Sequence, residues 1–226
     1  MNDVDYEKVA SLSIFQGVAP DTVKRLCTPS FLQEFPASAR LLEQGRRAGF
    51  LFVLLDGSVE MSATAGDKKT IIEIINPVGL FVLAAVLNDD VQLQSARTLT
   101  PSRILMIPSA VIREQMAADA ALMQAVVREL ANAYRRVVRE LKSVKLYSGT
   151  ERLASWICEQ ADFSVSPTNF KLPYEKRTLA SYMGMTPENL SRAFSNLAEH
   201  GVAVRSQQIE ITNAKTFAEY CSTLRG

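Results

Sequence analysis

Residues 175–200 read EKRTLASYMGMTPENLSRAFSNLAEH, and this stretch decides the fold of the C-terminal part. Leu179, Ala180 and Met183 recur on one side of a first helix. Gly184-Met185 makes a tight turn. Thr186 is a good N-cap, and Pro187 suits the first position of the next helix. That second helix buries Leu190, Ala193, Phe194 and Leu197 and shows Glu188, Asn189, Ser191, Arg192, Ser195 and Asn196 on its other side. Two short helices around a turn containing glycine form a helix-turn-helix. Val202 to Val204 and Ile209 to Ile211 flank Ser206-Gln207-Gln208, which adds a small β-hairpin, or wing.

Such a helix pair also occurs as a plain bundle corner. DNA reading is favoured by the small and polar residues at the start of the second helix, the end that enters a major groove. Glu188 and Arg192 lie at i and i+4, on one face. Arginine can donate twice to guanine O6 and N7, and glutamate can accept from cytosine N4. As a solvated ion pair alone, the two would contribute only a few tenths of a kcal/mol. Thr186 at the cap and Arg205 in the wing suit phosphate contacts, and Asn189 sits among the readers.

Upstream, Met123, Val127, Leu130, Tyr134, Val137, Leu141 and Val144 alternate spacings of four and three. That is a heptad seam on a long helix, and it predicts a homodimer. Before Pro108 the period changes again. Phe31, Phe35, Leu41-Leu42, Phe50 to Leu55, Val59 to Ala63 and Thr70 to Ile75 are strand-length runs. Pro36, Gly45, Gly49 and Asp56-Gly57 punctuate them, and Gly66 to Lys69 reads as a hairpin tip. Ser95 to Ile107 reads as a strand pair around Pro101, so an antiparallel sandwich or barrel is expected. Two short helical patterns between Asp5 and Cys27 precede it. Thr150 is the expected cap of the helix after the break at Ser148-Gly149.

Composition sets the outer bounds. The 226 residues are 47% hydrophobic and 22% charged, an ordinary balance for one or two globular domains and not for a disordered chain. The net charge is +1, and residues 147–226 carry as many acidic as basic residues. Charge alone therefore does not argue for nucleic acid. No apolar run reaches the roughly 18 residues that span a bilayer, and the start, MNDVDYEKVA, lacks a secretory pattern. The expected address is the cytoplasm, with no membrane partner. Cys27, Cys158 and Cys221 lie far apart with no CxxC pair, so no disulfide framework or Cys-rich metal site is expected. Cys158 beside Trp156 reads as a buried core thiol. One histidine, no Gly-rich phosphate loop and no nucleophile–base pair argue against an enzyme, and no catalytic or metal-binding residue is assigned.

The whole chain resembles the CRP/FNR family of bacterial transcription regulators. The likeness rests on Ile14-Phe15-x-Gly17, Glu43-x-Gly45, Phe52 with Gly57-x-Val59, the long helix and the winged helix-turn-helix. It implies an α+β fold: an N-terminal cyclic-nucleotide-binding-like β-roll, a long dimerisation helix and a C-terminal winged helix-turn-helix. The corresponding domains are 1–118 for effector sensing, 119–146 for dimerisation and 147–226 for DNA binding. The stretch Glu188-x-x-Ser191-Arg192 resembles the FNR/DNR-like branch, and implies a TTGA half-site repeated as TCAA. The resemblance further implies an activator that meets RNA polymerase.

Family members that bind cyclic AMP carry a Glu after a Gly in the phosphate loop, then Arg-Ser, then Thr-Ser on the long helix. This chain has Val78 to Ala84 as an apolar loop, Gln94-Ser95 in place of Arg-Ser, and Val137-Val138 on the helix. A phosphodiester without its arginine would be a poorly paired buried anion, costing several kcal/mol. The expected effector is therefore not cyclic AMP. Its pocket is expected near Leu80, Phe81, Gln94, Ser95, Arg97, Tyr134 and Val137, with Arg97 as the one nearby cation. A [4Fe–4S] cluster needs four cysteines and the chain has three. The alternative is a haem-based sensor of nitric oxide or carbon monoxide of the DNR/NnrR kind. His200 reads as a surface residue, which leaves Cys27, a methionine or a tyrosine to ligate haem.

Overall fold

The run Phe50 to Asp56 is buried at five consecutive positions, Leu51 to Leu55, so its strand must have apolar material on both faces. The computed structural model, which describes residues 3–164 and 168–224, shows how. Two four-stranded antiparallel sheets are built from β1 (Phe31–Phe35), β2 (Arg40–Leu42), β3 (Phe50–Asp56), β4 (Val59–Ala65), β5 (Lys68–Ile75), β6 (Gly79–Phe81), β7 (Ser95–Thr98) and β8 (Ser102–Pro108). Their orders are β1-β8-β3-β6 and β2-β7-β4-β5. Phe52, Leu54 and Ile104 from the first sheet meet Val59, Met61, Ile75 and Ala96 from the second, and Phe81 joins them. On the outer side of the first sheet, Leu51, Val53, Leu55, Leu105 and Ile107 pack against helices.

Those helices are α1 (Asp3–Ala10), α2 (Pro20–Cys27), α3 (Leu83–Asn88), α4 (Ser109–Ala118) and the first turns of α5 (Ala120–Leu146). Asp119 caps α5 by accepting from the backbone N–H groups of Ala121 and Leu122. Gly57 turns β3 into β4 with φ +96°, and a Cβ there would collide with Pro101 and Ser102. Only glycine meets both demands.

α5 carries two apolar stripes. Leu122, Ala125 and Val126 are buried in the sensor-side core together with Glu129. The Glu129 carboxylate is satisfied by Ser13 Oγ at 2.7 Å and Arg136 Nη2 at 3.1 Å. The second stripe is the expected seam. Met123, Val127, Tyr134, Val137, Leu141 and Val144 are exposed, Tyr134 to 70% and Val137 to 64%. Leu130 differs from its fellows because it is half-buried against its own unit's core.

The chain divides into compact units of residues 1–136 and 137–226. The second unit holds α6 (Gly149–Gln160), β9 (Thr168–Lys171), α7 (Lys176–Tyr182), α8 (Pro187–Leu197), β10 (Val202–Arg205), β11 (Gln208–Ile211) and α9 (Ala214–Thr223). Its sheet order is β10-β11-β9. The fold is α+β, as expected. Among the described residues, no helix is long and apolar enough to cross a membrane.

Three local expectations need correction. β7 and β8 are both strands, but they lie in different sheets and do not pair around Pro101. The cap of α6 is Ser148 and not Thr150: Ser148 and Glu151 exchange hydrogen bonds as a capping box, which satisfies two backbone donors where Thr150 would satisfy one. Cys158 is not a free core thiol but is disulfide-bonded to Cys221, which the fold brings to a Cα separation of 6.2 Å. The spacing of 63 residues concealed that approach.

Candidate nucleic-acid interface

α8 is fixed at both ends and along one face. Thr186 accepts from the backbone N–H of Asn189 at 3.2 Å, and Pro187 occupies the first turn. Leu190, Ala193, Phe194 and Leu197 are buried with Leu153, Ala154 and Ile157 of α6. The opposite face is therefore presented in a set orientation. Glu188, Asn189, Ser191, Arg192, Ser195 and Asn196 are all exposed on it, as are Thr186 and, in the wing, Arg205.

The chemistry of that face is mixed. The Glu188 carboxyl is held below the usual carboxylate range, first by its own backbone N–H, then by the Thr186 side chain, with the Arg192 charge adding. A carboxylate in the first turn also complements the positive end of the helix. Ser191 Oγ donates to the Pro187 carbonyl at 3.0 Å, and Ser195 Oγ to that of Ser191 at 3.1 Å. Their donors are thus spent on the helix, which leaves small surfaces suited to close approach. Arg192 and Glu188 stand as the two charged groups of the face.

Sequence reasoning missed the scaffold behind this face. Arg152 of α6 donates to the Tyr147 carbonyl at 3.0 Å and to the Met183 carbonyl at 3.1 Å, in the turn between the two helices. Asn196 Nδ2 reaches Thr150 Oγ1 at 3.3 Å. An open cleft between the starts of α6 and α8 is lined by Thr150, Arg152, Asn189, Arg192 and Asn196. His200, expected at the surface, is half-buried and stacks on Tyr220 with ring centroids 4.1 Å apart. No spacing rule links these residues: Arg152 sits in the first turn of α6 and Met183 in the turn after α7, 31 residues further on.

The residues expected to line an effector pocket do not converge. Phe81 points between the sheets and stacks on Phe52, while its neighbour Leu80 packs with the sensor-side helices. Ala96 points inward, so Ser95 and Arg97 on either side of it point outward. There Arg97 Nε is 3.1 Å from Glu60 Oε1, and Lys69 Nζ is 3.3 Å from the same oxygen. Ser95 Oγ accepts from the Gln44 backbone N–H. Gln94 is half-buried, and Tyr134 and Val137 are exposed.

A family model described as a Crp-like helix-turn-helix domain matches residues 151–220, and one described as a cyclic nucleotide-binding domain matches residues 32–119. The chain belongs to the CRP/FNR family of transcription regulators, with a DNA-binding helix-turn-helix. It is 21% identical over 218 residues to a CRP-like cAMP-activated global transcriptional regulator of Mycobacterium tuberculosis, covering 94% of this chain and 97% of that protein. A putative cAMP-binding regulatory protein from Silicibacter pomeroyi shares the fold with a TM-score of 0.65, at 24% identity over 97% of this chain and 99% of that one. DNR from Pseudomonas aeruginosa shares it with a TM-score of 0.54, at 19% identity over 97% and 99%.

Proposed function

We propose that the chain is a homodimeric, sequence-specific regulator of the FNR/DNR-like branch that reads a TTGA-like palindrome. The observation that carries this reading is the exposed row Glu188, Ser191 and Arg192 on α8, held by the Thr186 cap and a fully buried opposite face. In this reading Arg192 takes the guanine, Glu188 the cytosine opposite or next to it, and Ser191 packs near a thymine methyl. Thr186, Asn189 and Arg205 hold phosphates or neighbouring edges. Residues 147–226 form the DNA-binding domain, 119–146 the dimerisation helix and 1–118 the sensor. The exposed seam of α5 supports a two-fold partner: six apolar side chains on one stripe make a patch that a monomer would leave in water. By family likeness the regulator is a cytoplasmic activator that contacts RNA polymerase.

The effector is other than cyclic AMP, although two of the similar proteins are named for it. The loop from Val78 to Ala84 offers no charged side chain, and Arg97 is committed to Glu60 on the outer face of the sheet. A haem-based gas sensor is the second reading, favoured only by likeness to DNR. The residues fit it poorly. His200 lies in the C-terminal unit against Tyr220, and burial pushes the Cys27 thiol up to about 11, away from the thiolate that would ligate iron. A purified protein with absorbance in the Soret region would favour haem.

Selection from a pool of random duplexes tests the main reading. Enrichment of a TTGA-like palindrome with half-site centres about 34 Å apart is expected. Enrichment of a site with no such palindrome would overturn it.

A further inference from the structure

Cys158 lies within α6 and Cys221 in the last turn of α9, and each is 5% exposed. Their Cα separation falls inside the range a disulfide spans. The loop they close contains β9, α7, α8, β10 and β11, which is the helix-turn-helix with its wing. α9 is seated in the core of this unit by Phe217, which is fully buried beside Phe163, and its last turn makes two further contacts. Tyr147 Oη donates to the Leu224 carbonyl at 2.8 Å, just past the end of α9, and Tyr220 stacks on His200 just past α8. One helix turn therefore meets the Cys158 sulfur, the residue before the α6 cap and the segment after α8.

A protein made in a reducing compartment keeps such a pair as thiols unless exchange chemistry acts on it, and disulfides found there are commonly transient. We propose that Cys158 and Cys221 are a reversible thiol–disulfide couple that exchanges with a low-molecular-weight disulfide such as oxidised glutathione and fixes α9 to α6. Cys221 is the entry point, because the final turn of a helix frays and Cys158 lies mid-helix. The Cys221 thiol loses its proton and attacks one sulfur of oxidised glutathione. The glutathione S–S bond breaks, and one glutathione thiolate leaves and takes up a proton. Cys158, likewise deprotonated, then attacks the Cys221 sulfur of the mixed disulfide. The second glutathione thiolate leaves and is protonated. The protein loses two electrons and two protons, and oxidised glutathione becomes two reduced molecules. The third cysteine stands apart, since Cys27 is buried in the sensor-side core.

The test uses the full chain and no DNA, so its failure is separable from failure of the DNA reading. The reduced protein is equilibrated across ratios of reduced to oxidised glutathione, alkylated and weighed intact, and the linked peptides are mapped. Two thiols should disappear together in one step within a chain, linking the peptides of Cys158 and Cys221, while Cys27 stays alkylatable once the chain is unfolded. Dithiothreitol should restore both on the folded protein. Cys158→Ser should stop at a glutathione adduct on Cys221. In hydrogen exchange on the wild type, amides of α9 should exchange about tenfold more slowly in the oxidised form. Thiols that stay free at every ratio, a bond that dithiothreitol cannot open in the folded protein, or cross-links between chains would each overturn the couple. Equal α9 exchange in the two forms would overturn its hold on the helix. The wild-type titration decides the matter even if the serine variant does not fold.

Discussion

Arg97 Nε stands 3.1 Å from Glu60 Oε1, directly across the β4–β7 pair. The Glu60 side chain is only 2% exposed, whereas those of Arg97 and Lys69 are about half in water. That inequality predicts unequal mutational costs. Arg97→Met with Lys69→Met leaves a buried carboxylate unpaired and should cost about 3–5 kcal/mol in denaturant unfolding of the sensor unit. Glu60→Gln strands no buried charge, since both cations can turn to solvent, and should cost roughly 1–2 kcal/mol. Equal costs would mean that Glu60 is not the buried member of the group.

The seam prediction can be made sharper than the heptad alone allows. Leu130 packs on its own core, so changing it mixes folding with association. Val137 and Leu141 are exposed and serve better. Val137→Glu with Leu141→Glu should yield monomers by sedimentation at micromolar concentration, with the thermal transition of the sensor unit unmoved. A wild type that sediments as a monomer would refute the seam.

On DNA, Arg192→Ala should cost about 1–3 kcal/mol and relax the preference at the guanine. Arg205→Ala should weaken all sequences alike and reduce the salt slope by about 1. Binding titrations at several salt concentrations separate the two. An Arg192→Ala protein with unchanged preference would sink the base-reading role.

The α6 capping box predicts a pH dependence. Hydrogen bonds from Ser148 hold the Glu151 carboxyl below its ordinary range. A group with a lowered native pKa adds stability above its unfolded value, near 4, and loses it as pH falls through the native value. Ser148→Ala should therefore cost about 1 kcal/mol at neutral pH, and the gap to wild type should narrow below about pH 4 without vanishing, because the Glu151 N–H to Ser148 Oγ bond does not titrate. Paired unfolding curves at pH 7 and pH 3 measure it.

The readable parts of the sequence were the local ones. Thr186-Pro187 and the buried positions of α8 sit within a dozen residues, where capping chemistry and helical period act directly. The strands were readable as strands, but β7 and β8 gave no sign that they join different sheets, because pairing is decided by residues far apart in sequence. The same distance hid Arg97 from Glu60 and Cys158 from Cys221. The apolar run 80–87 looked uniform, yet Val82 adopts φ 74° between β6 and α3, a conformation rare for a β-branched residue. The candidate readers on α8 were legible as exposed polar positions; the Arg152 bridge behind them joins groups 31 residues apart, which no local pattern marks.

The two clusters of the first unit end at Leu130, and the cluster of the second begins at Leu153. Among the described residues, each of these clusters falls on one side of the 136/137 division. A gene fused at that codon would carry each hydrophobic nucleus whole. Another winged reader could thus be joined behind this sensor, or this reader behind another sensor, with each cluster carried intact. The α5 seam residues beyond the junction would then be the part to match in any such chimera.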